Sequence, residues 1–341
     1  MNGFSDGVRA RAALASRIVV FPEPHDERVR DAVRELALSR IVTPVLIRGA
    51  ETRGATDVPG VETVDASADP RRGAAAAHLA VRRAGRGLTG AAAEATVGNA
   101  LWFADYLVAS GEADGCVSGA ATNTADVLRA ALWTVGPADG VRTVSSAFYM
   151  ELSVPTVTGE RVLTFTDCAV VPEPTPEQLA DIAVAAAADR RRIVGDEPRV
   201  ALLSFGTRGS ARSPRVDQVT AALAIARARA PDLAIDGELQ ADAALDPVVA
   251  ARKLVVGSVA GRANVLVFPS LEAGNIAYKL AQELAGAAAV GPVIQGLKQP
   301  CNDLSRGARI SDIVTVAAIT ALQASGLPNH RDGHSPLGDS E

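Results

Sequence analysis

The chain has 341 residues, 48% apolar and 21% charged, with 34 basic against 39 acidic side chains and a formal net charge of −5. That length gives a prior of about two domains, and the apolar content is too high for a disordered chain. The charge balance offers no basic face to nucleic acid, no apolar run approaches the roughly 18 residues of a membrane span, and the charged start MNGFSDGVRARAALASR leaves no secretory segment.

In chain order, short β-rich apolar runs predict strands at Ile18–Phe21, Thr43–Ile47, Gly115–Ser118, Val200–Phe205, Leu233–Asp236, Val265–Phe268 and Val293–Gln295. Alanine-rich stretches with apolar residues at i, i+3 and i+4 predict helices between them, among them Val97–Ala109, Pro176–Ala188 and Val216–Ala228. Strands alternating with helices of this length imply βαβ units, hence an α/β protein of mostly parallel sheets flanked by helices. SSAFYMELSV, within Thr143–Val154, predicts one longer, antiparallel strand. The closing HRDGHSPLGDSE is polar and punctuated by Gly and Pro, which predicts a frayed tail.

Four loops that follow strands are rich in Gly, Ser, Thr, Asn or charged residues. They are SGAATNTADVLR after Val117, SFGTRGSARS after Leu203, FPSLEAGN after Val267 and QGLKQPCNDLSRG after Ile294. Small residues let backbone N–H groups approach an anion, hydroxyls donate and arginines neutralise charge, which is the chemistry of a phosphate or oxyanion site. In open α/β sheets such loops gather at the carboxyl ends of the strands. Only Lys253, Lys279 and Lys298 are lysines, so in this arginine-rich background a single arginine is weak grounds for anion recognition.

Gly85–Gly90 spells G-x-G-x-x-G but follows the helical AAAAHLAVRRA rather than a strand, and reads as a plain loop. His25, His78, His330 and His334 are too scattered for a metal site or a catalytic triad. Asp236, Glu238, Asp242 and Asp246 read as helix-start and loop carboxylates rather than metal ligands. Cys116, Cys168 and Cys301 are odd in number and far apart, which fits a reducing compartment, and Cys301 reads as a small buried hydrophobe. Ser311, ahead of IVTVAAITAL, reads as a helix N-cap with Asp312 in the first turn. On spacing alone Asp312 is either a carboxylate complementing the helix dipole or a general base beside Ser305 and Arg306.

From about Arg17 to Gln323 the chain resembles the phosphate acetyltransferases (phosphotransacetylases), in their short form. The matching stretches are RIVVFPEPHDERV, ADGCVSGAATNTADVLRAAL, RTVSSAFYM, VALLSFGTRGSA, DLAIDGELQADAAL, SVAGRANVLVFPSLEAGNIAYKLAQ and GPVIQGLKQPCNDLSRGARISDIV, in the family's order and spacing. Phosphate butyryltransferase, a neighbouring relative, matches these signatures less well.

The resemblance implies a fold like that of the isocitrate and isopropylmalate dehydrogenases, two α/β domains with an interdomain cleft. One domain would comprise 1–147 plus 299–330, the second 148–298, with 331–341 as a flexible tail. It further implies a homodimer that interconverts acetyl-CoA plus phosphate with acetyl phosphate plus CoA, CoA being a substrate and no cofactor or metal being used; composition and cysteine usage point to the cytoplasm. Ser305, Arg306 and Asp312 would be catalytic, and Arg83, Arg129, Ser118, Thr124, Tyr278 and Asn302 would contact phosphate or CoA.

Two stretches depart from the family pattern: Thr122-Asn123-Thr124 stands where His-Ser-Thr is usual, and Phe205–Gly209 where an aromatic residue precedes Ser-Thr-Lys-Gly. The alternatives are a butyryltransferase-like preference for longer acyl chains, an inactive acyl-CoA-binding regulator, and a metal-dependent decarboxylating dehydrogenase of the same architecture.

The chemistry selects the same residue types. A thiol of pKa about 8.5 attacks as thiolate, so a carboxylate must take its proton. The tetrahedral oxyanion needs a hydroxyl or amides, and the leaving phosphate needs planar multi-donor cations.

Overall fold

The structure, a computed structural model, describes residues 3–52, 54–253, 255–257 and 259–326. The expected tail 331–341, with His330 and His334, lies outside them. The strands are β1 (Ile18–Phe21), β2 (Thr43–Arg48), β3 (Glu62–Asp65), β4 (Gly115–Ser118), β5 (Ser145–Glu151) and β6 (Val162–Thr166). They continue with β7 (Arg199–Leu203), β8 (Ala234–Leu239), β9 (Val265–Val267), β10 (Ala288–Gln295) and β11 (Cys301–Asp303).

These strands form two sheets, ordered β11-β4-β1-β2-β3 and β10-β5-β6-β9-β7-β8. Each sheet belongs to its own compact unit. The first is Ser5–Gly136 continued from Leu297, the second Pro137–Gly296 together with Phe4. The boundary expected at 147/148 falls inside β5, which pairs along its length with β10 and β6. A division there would split a continuous hydrogen-bonded ladder, so the chain divides earlier, at Gly136.

The first sheet is parallel throughout. Parallel sheets are covered on both faces, which is why IVVF and PVLI are continuous apolar runs rather than alternating ones. Helix Glu27–Ser39 supplies part of the cover: Asp26 caps it by accepting from Arg28 N, and Val29, Ala32, Val33 and Leu36 form its buried stripe. Helix Ile310–Ala324 is buried continuously from Ile313, as its all-round apolar sequence requires. Fully burying each Val, Leu or Ile of these faces stabilises the fold by about 1.5–3 kcal/mol.

The expected helix Val97–Ala109 begins only at Ala100, because Asn99 caps it by accepting from Leu101 N, and Val97 instead ends a preceding helix, Gly90–Val97. β3, β6 and β11 lie outside the predicted strands; β3 and β11 carry no strong strand pattern, whereas β6, VLTFT, is β-branched and aromatic. β11, with the sequence Cys-Asn-Asp, is a strand only because it pairs with β4, Cys301 opposite Cys116 and Asp303 opposite Ser118.

In the second unit β6, β9, β7 and β8 run parallel, while β5 is antiparallel to both β10 and β6, as the longer run at 143–154 predicted. Among the described residues no helix is long and apolar enough to cross a membrane.

Candidate active site

In the first sheet β1 leads to β2 and β3 on one side, while β4 and β11 lie on the other. The winding therefore reverses between β1 and β4, the place where open α/β sheets take ligands at their carboxyl edge. Three loops stand side by side there, those after β1, β4 and β11.

The amide groups of the β4 loop are already engaged. Glu23, only 2% exposed, accepts from Ala120 N at 2.8 Å, Ala121 N at 2.9 Å and Thr122 N at 2.7 Å. The small residues do bring the N–H groups together, as expected, but the anion they hold is the protein's own carboxylate. The only sequence signal for this is an acidic residue two positions after a buried strand.

Arg28 joins the β4 loop to the β11 loop. Its Nη1 donates to Arg306 O at 2.8 Å and Ala308 O at 2.9 Å, and its Nη2 to Ala120 O at 2.8 Å and Asp26 Oδ2 at 2.7 Å. The side-chain hydrogen bond from Arg28 holds the Asp26 carboxyl below its usual range. Sequence reasoning passed over Arg28 because it looks like any first-turn arginine of an amphipathic helix.

Held in this way, the turn after β11 buries Leu304 and exposes Ser305 and Arg306. Gly307 N donates to Ser305 Oγ at 3.3 Å and Ala308 N to Ser305 O at 2.8 Å, which closes the turn.

Asp312 follows on the next helix. The N-cap is Arg309 and not Ser311, whose carbonyl instead accepts from Arg9 Nη2 at 2.8 Å. Asp312 Oδ2 accepts from Arg309 N at 2.9 Å, and Oδ1 from Arg309 Nη2 at 3.2 Å. The carboxylate thus fills the helix-start role that the spacing allowed, and stays 38% exposed.

The remaining expected residues divide three ways. Arg129 lines a cavity of about 310 Å³ with Glu23, His25, Glu51, Trp102 and Asp126. Arg83 lies over the Trp133 ring at 3.8 Å, and Trp133 follows Arg129 by one turn of the same helix. Thr124 donates to Asp303, and Ser118 is buried opposite Asp303 in the ladder.

Asn302, expected to contact phosphate or CoA, lies in the core. It is fully buried, its amide donating to Thr320 Oγ1 and Gln323 Oε1, each at 2.8 Å. Tyr278 belongs to the second unit and stacks on Phe148 with ring centroids 4.2 Å apart.

In that unit the SFGTRGS loop is also satisfied from within. Gly209 N donates to Glu238 Oε1 at 2.7 Å, and Arg208 Nη2 to Asp236 Oδ2 at 2.6 Å. Asp242 pairs with Lys253 and Asp246 caps a helix, so all four acidic residues of this region have local roles. Among the described residues no group of three or more His, Cys, Asp or Glu side chains is placed to hold a metal ion. Cys301 is the buried hydrophobe the sequence indicated, its thiol pushed up first by burial and then by Asp105.

Comparison with known proteins extends over nearly the whole chain. A family model described as "Phosphate acetyl/butaryl transferase" matches residues 4–321. A phosphate acetyltransferase from Paracoccus denitrificans is 43% identical over 318 residues, covering 93% of this chain and 98% of its own. A solved phosphotransacetylase from Staphylococcus aureus superposes with a TM-score of 0.84 at 38% identity, covering 95% of this chain and 100% of that one. A 4-hydroxythreonine-4-phosphate dehydrogenase from Klebsiella pneumoniae covers 91% of this chain and 99% of its own, with a TM-score of 0.52 at 15% identity. That last likeness concerns the fold alone, and it matches the dehydrogenase-like architecture expected from the sequence.

Proposed function

This chain belongs to the phosphate acetyl/butyryl transferase family, and from that premise we propose that it transfers an acetyl group reversibly between CoA and inorganic phosphate. The observation that carries this reading is the exposed Ser305–Arg306 turn, fixed by Arg28 beside the loop that leads into the Arg129 helix.

In the direction of thioester synthesis, the CoA thiolate attacks the acetyl carbon of acetyl phosphate. The C–S bond forms, the C–O bond to phosphate breaks, and the thiol proton passes to Asp312 on its release from Arg309. The Ser305 hydroxyl stabilises the tetrahedral oxyanion. Arg306 and Arg129, planar multi-donor cations that remain exposed, neutralise the departing phosphate. Arg83, Ser118 and Thr124 support the same anion-binding face.

The identity of the relatives favours acetyl over longer acyl groups. We also read the protein as a cytoplasmic homodimer. Its three thiols are buried and unpaired, which suits a reducing compartment. Helix Leu271–Ala285 exposes Ile276, Leu280 and Leu284 at one-turn spacing, an apolar stripe suited to a second copy.

The deciding assay follows CoA thiol release from acetyl-, propionyl- and butyryl-CoA. Release that requires phosphate or arsenate and is fastest with acetyl-CoA is expected. Release without phosphate, or a preference for butyryl-CoA, would overturn the assignment.

A further inference from the structure

Asp303 closes β11 and is 1% exposed. Its Oδ2 accepts from Thr124 Oγ1 at 2.6 Å, whereas its Oδ1 is shut away from solvent and makes no well-formed hydrogen bond. Gly119, at φ +102°, leaves the space for it: a Cβ there would overlap Asp303 Oδ1 and crowd the backbone of Leu304. A buried carboxylate with one idle oxygen is a poor way to stabilise a core, and asks for another explanation. Because that oxygen is closed to solvent, it is not placed to take a proton from CoA directly.

We infer that Asp303 is a positioning residue for acyl transfer: ionised, it anchors Thr124 and so locks the turn carrying Ser305 and Arg306 against the loop after β4. The inference rests on the proposed roles of Ser305 and Arg306. Its basis in geometry is the position of Asp303 two residues before the turn, hydrogen-bonded to the first residue of the helix that carries Arg129.

The lock is sensitive to pH. Burial pushes the Asp303 carboxyl up to about 6, against the opposing pull of the Thr124 hydroxyl and the Leu304 amide; Glu23 raises it further and Arg306 lowers it. Glu23 and Arg306 are the charges that act on it. Ser118, opposite it on β4, and Thr124 are uncharged, and helix Ile310–Ala324 meets this strand through the neutral Thr320 and Gln323. On protonation Asp303 loses its attraction for Arg306. Its new O–H then takes Thr124 Oγ1 as acceptor, reversing the hydrogen bond that held the helix.

The test is the pH dependence of kcat for phosphate-dependent acyl transfer, measured from pH 5 to 9. The wild-type profile has an acid limb near pH 6. Thr124→Val removes the hydrogen bond that favours ionisation and moves this limb to higher pH. Thr124→Ser returns it to the wild-type position, whatever its effect on KM. Asp303→Asn, which presents a donor to Thr124 at every pH, lowers kcat about tenfold at pH 7.5 and flattens the limb.

A limb that stays in place in Thr124→Val overturns the inference, as does an Asp303→Asn profile parallel to that of the wild type. If Asp303→Asn does not fold, the Thr124 pair decides. A wild-type protein without phosphate-dependent activity refutes the proposed function instead, so the two failures are distinguishable.

Discussion

Asp126 Oδ1 lies 2.5 Å from Arg129 Nη1, and Asn123 Nδ2 donates to the other Asp126 oxygen at 2.7 Å. The arginine offered to an incoming phosphate is thus already oriented, and partly neutralised, by residues of its own helix start. Both partners are about half exposed, and such pairs are worth roughly 0–1 kcal/mol, far less than a bidentate contact with a phosphate. Asp126 therefore aims Arg129 without holding it back. Arg129→Gln is expected to raise the KM for phosphate or CoA roughly 10- to 100-fold, the effect of about 1.5–3 kcal/mol, with melting unchanged. Steady-state kinetics check this, and unaltered KM values would return Arg129 to the arginine-rich background of the chain.

Asp312 carries two readings, and one substitution separates them. As a helix-start carboxylate only, Asp312→Asn costs a few tenths of a kcal/mol in stability and leaves activity near wild type. As the general base, it lowers kcat by about 10²–10⁴-fold with normal melting. The second outcome is expected. The deficit should shrink at higher pH, where more CoA is thiolate without assistance. Ser305→Ala should lower kcat with no such recovery, since an oxyanion donor is needed at every pH.

Asn302 predicts the opposite pattern. Asn302→Ala abolishes two buried hydrogen bonds and leaves Thr320 and Gln323 without that donor. Unmet buried groups cost about 1–3 kcal/mol each, so chemical denaturation should show a loss of a few kcal/mol. The folded fraction should keep its KM for CoA and phosphate. An altered KM with wild-type stability would restore Asn302 as a ligand contact.

Asp105 makes stability depend on pH. It is 1% exposed, and burial pushes its carboxyl up to about 7, against a smaller opposing influence of the Cys301 and Cys116 thiols. The folded protein therefore retains this proton between the unfolded value near 4 and about pH 7, where the unfolded chain has lost it. Stability from this group is greatest at low pH and declines as pH rises through that window. Urea midpoints at pH 5 and pH 8 should differ in that direction for wild type, and the difference should shrink in Asp105→Asn. An identical pH dependence in the variant would contradict the assignment.

Glu23 gives a test of the filled nest. Glu23→Ala removes three backbone hydrogen bonds to a charged acceptor and frees the loop at Ala120–Thr122. Activity should fall by at least tenfold and the melting temperature should drop, since hydrogen bonds to charged groups contribute about 1.5–3 kcal/mol. Undiminished activity would show that Arg28 alone positions the loops.

The alternation of apolar strands and alanine-rich helices was enough to identify parallel α/β architecture, because that periodicity reflects burial that the chain cannot avoid. The Asn-Asp-Leu-Ser-Arg-Gly segment likewise marked Ser305 and Arg306, whose turn is closed locally at Ser305, although its anchor, Arg28, lies far away along the chain. The sequence could not show that Cys301–Asp303 is a strand, since its only cause is a partner at Cys116–Ser118, far away along the chain. Nor could it show which carboxylate occupies which set of amides. Glu23 fills the nest after β4, Asp303 holds Thr124, and Asn302 turns into the core, although all three are polar residues near phosphate-like loops. Composition and spacing set which groups can bond. Only the packing of β11 and β4 against their helices sets which do, because a buried polar group pairs with whichever partner the fold brings within 3 Å or so.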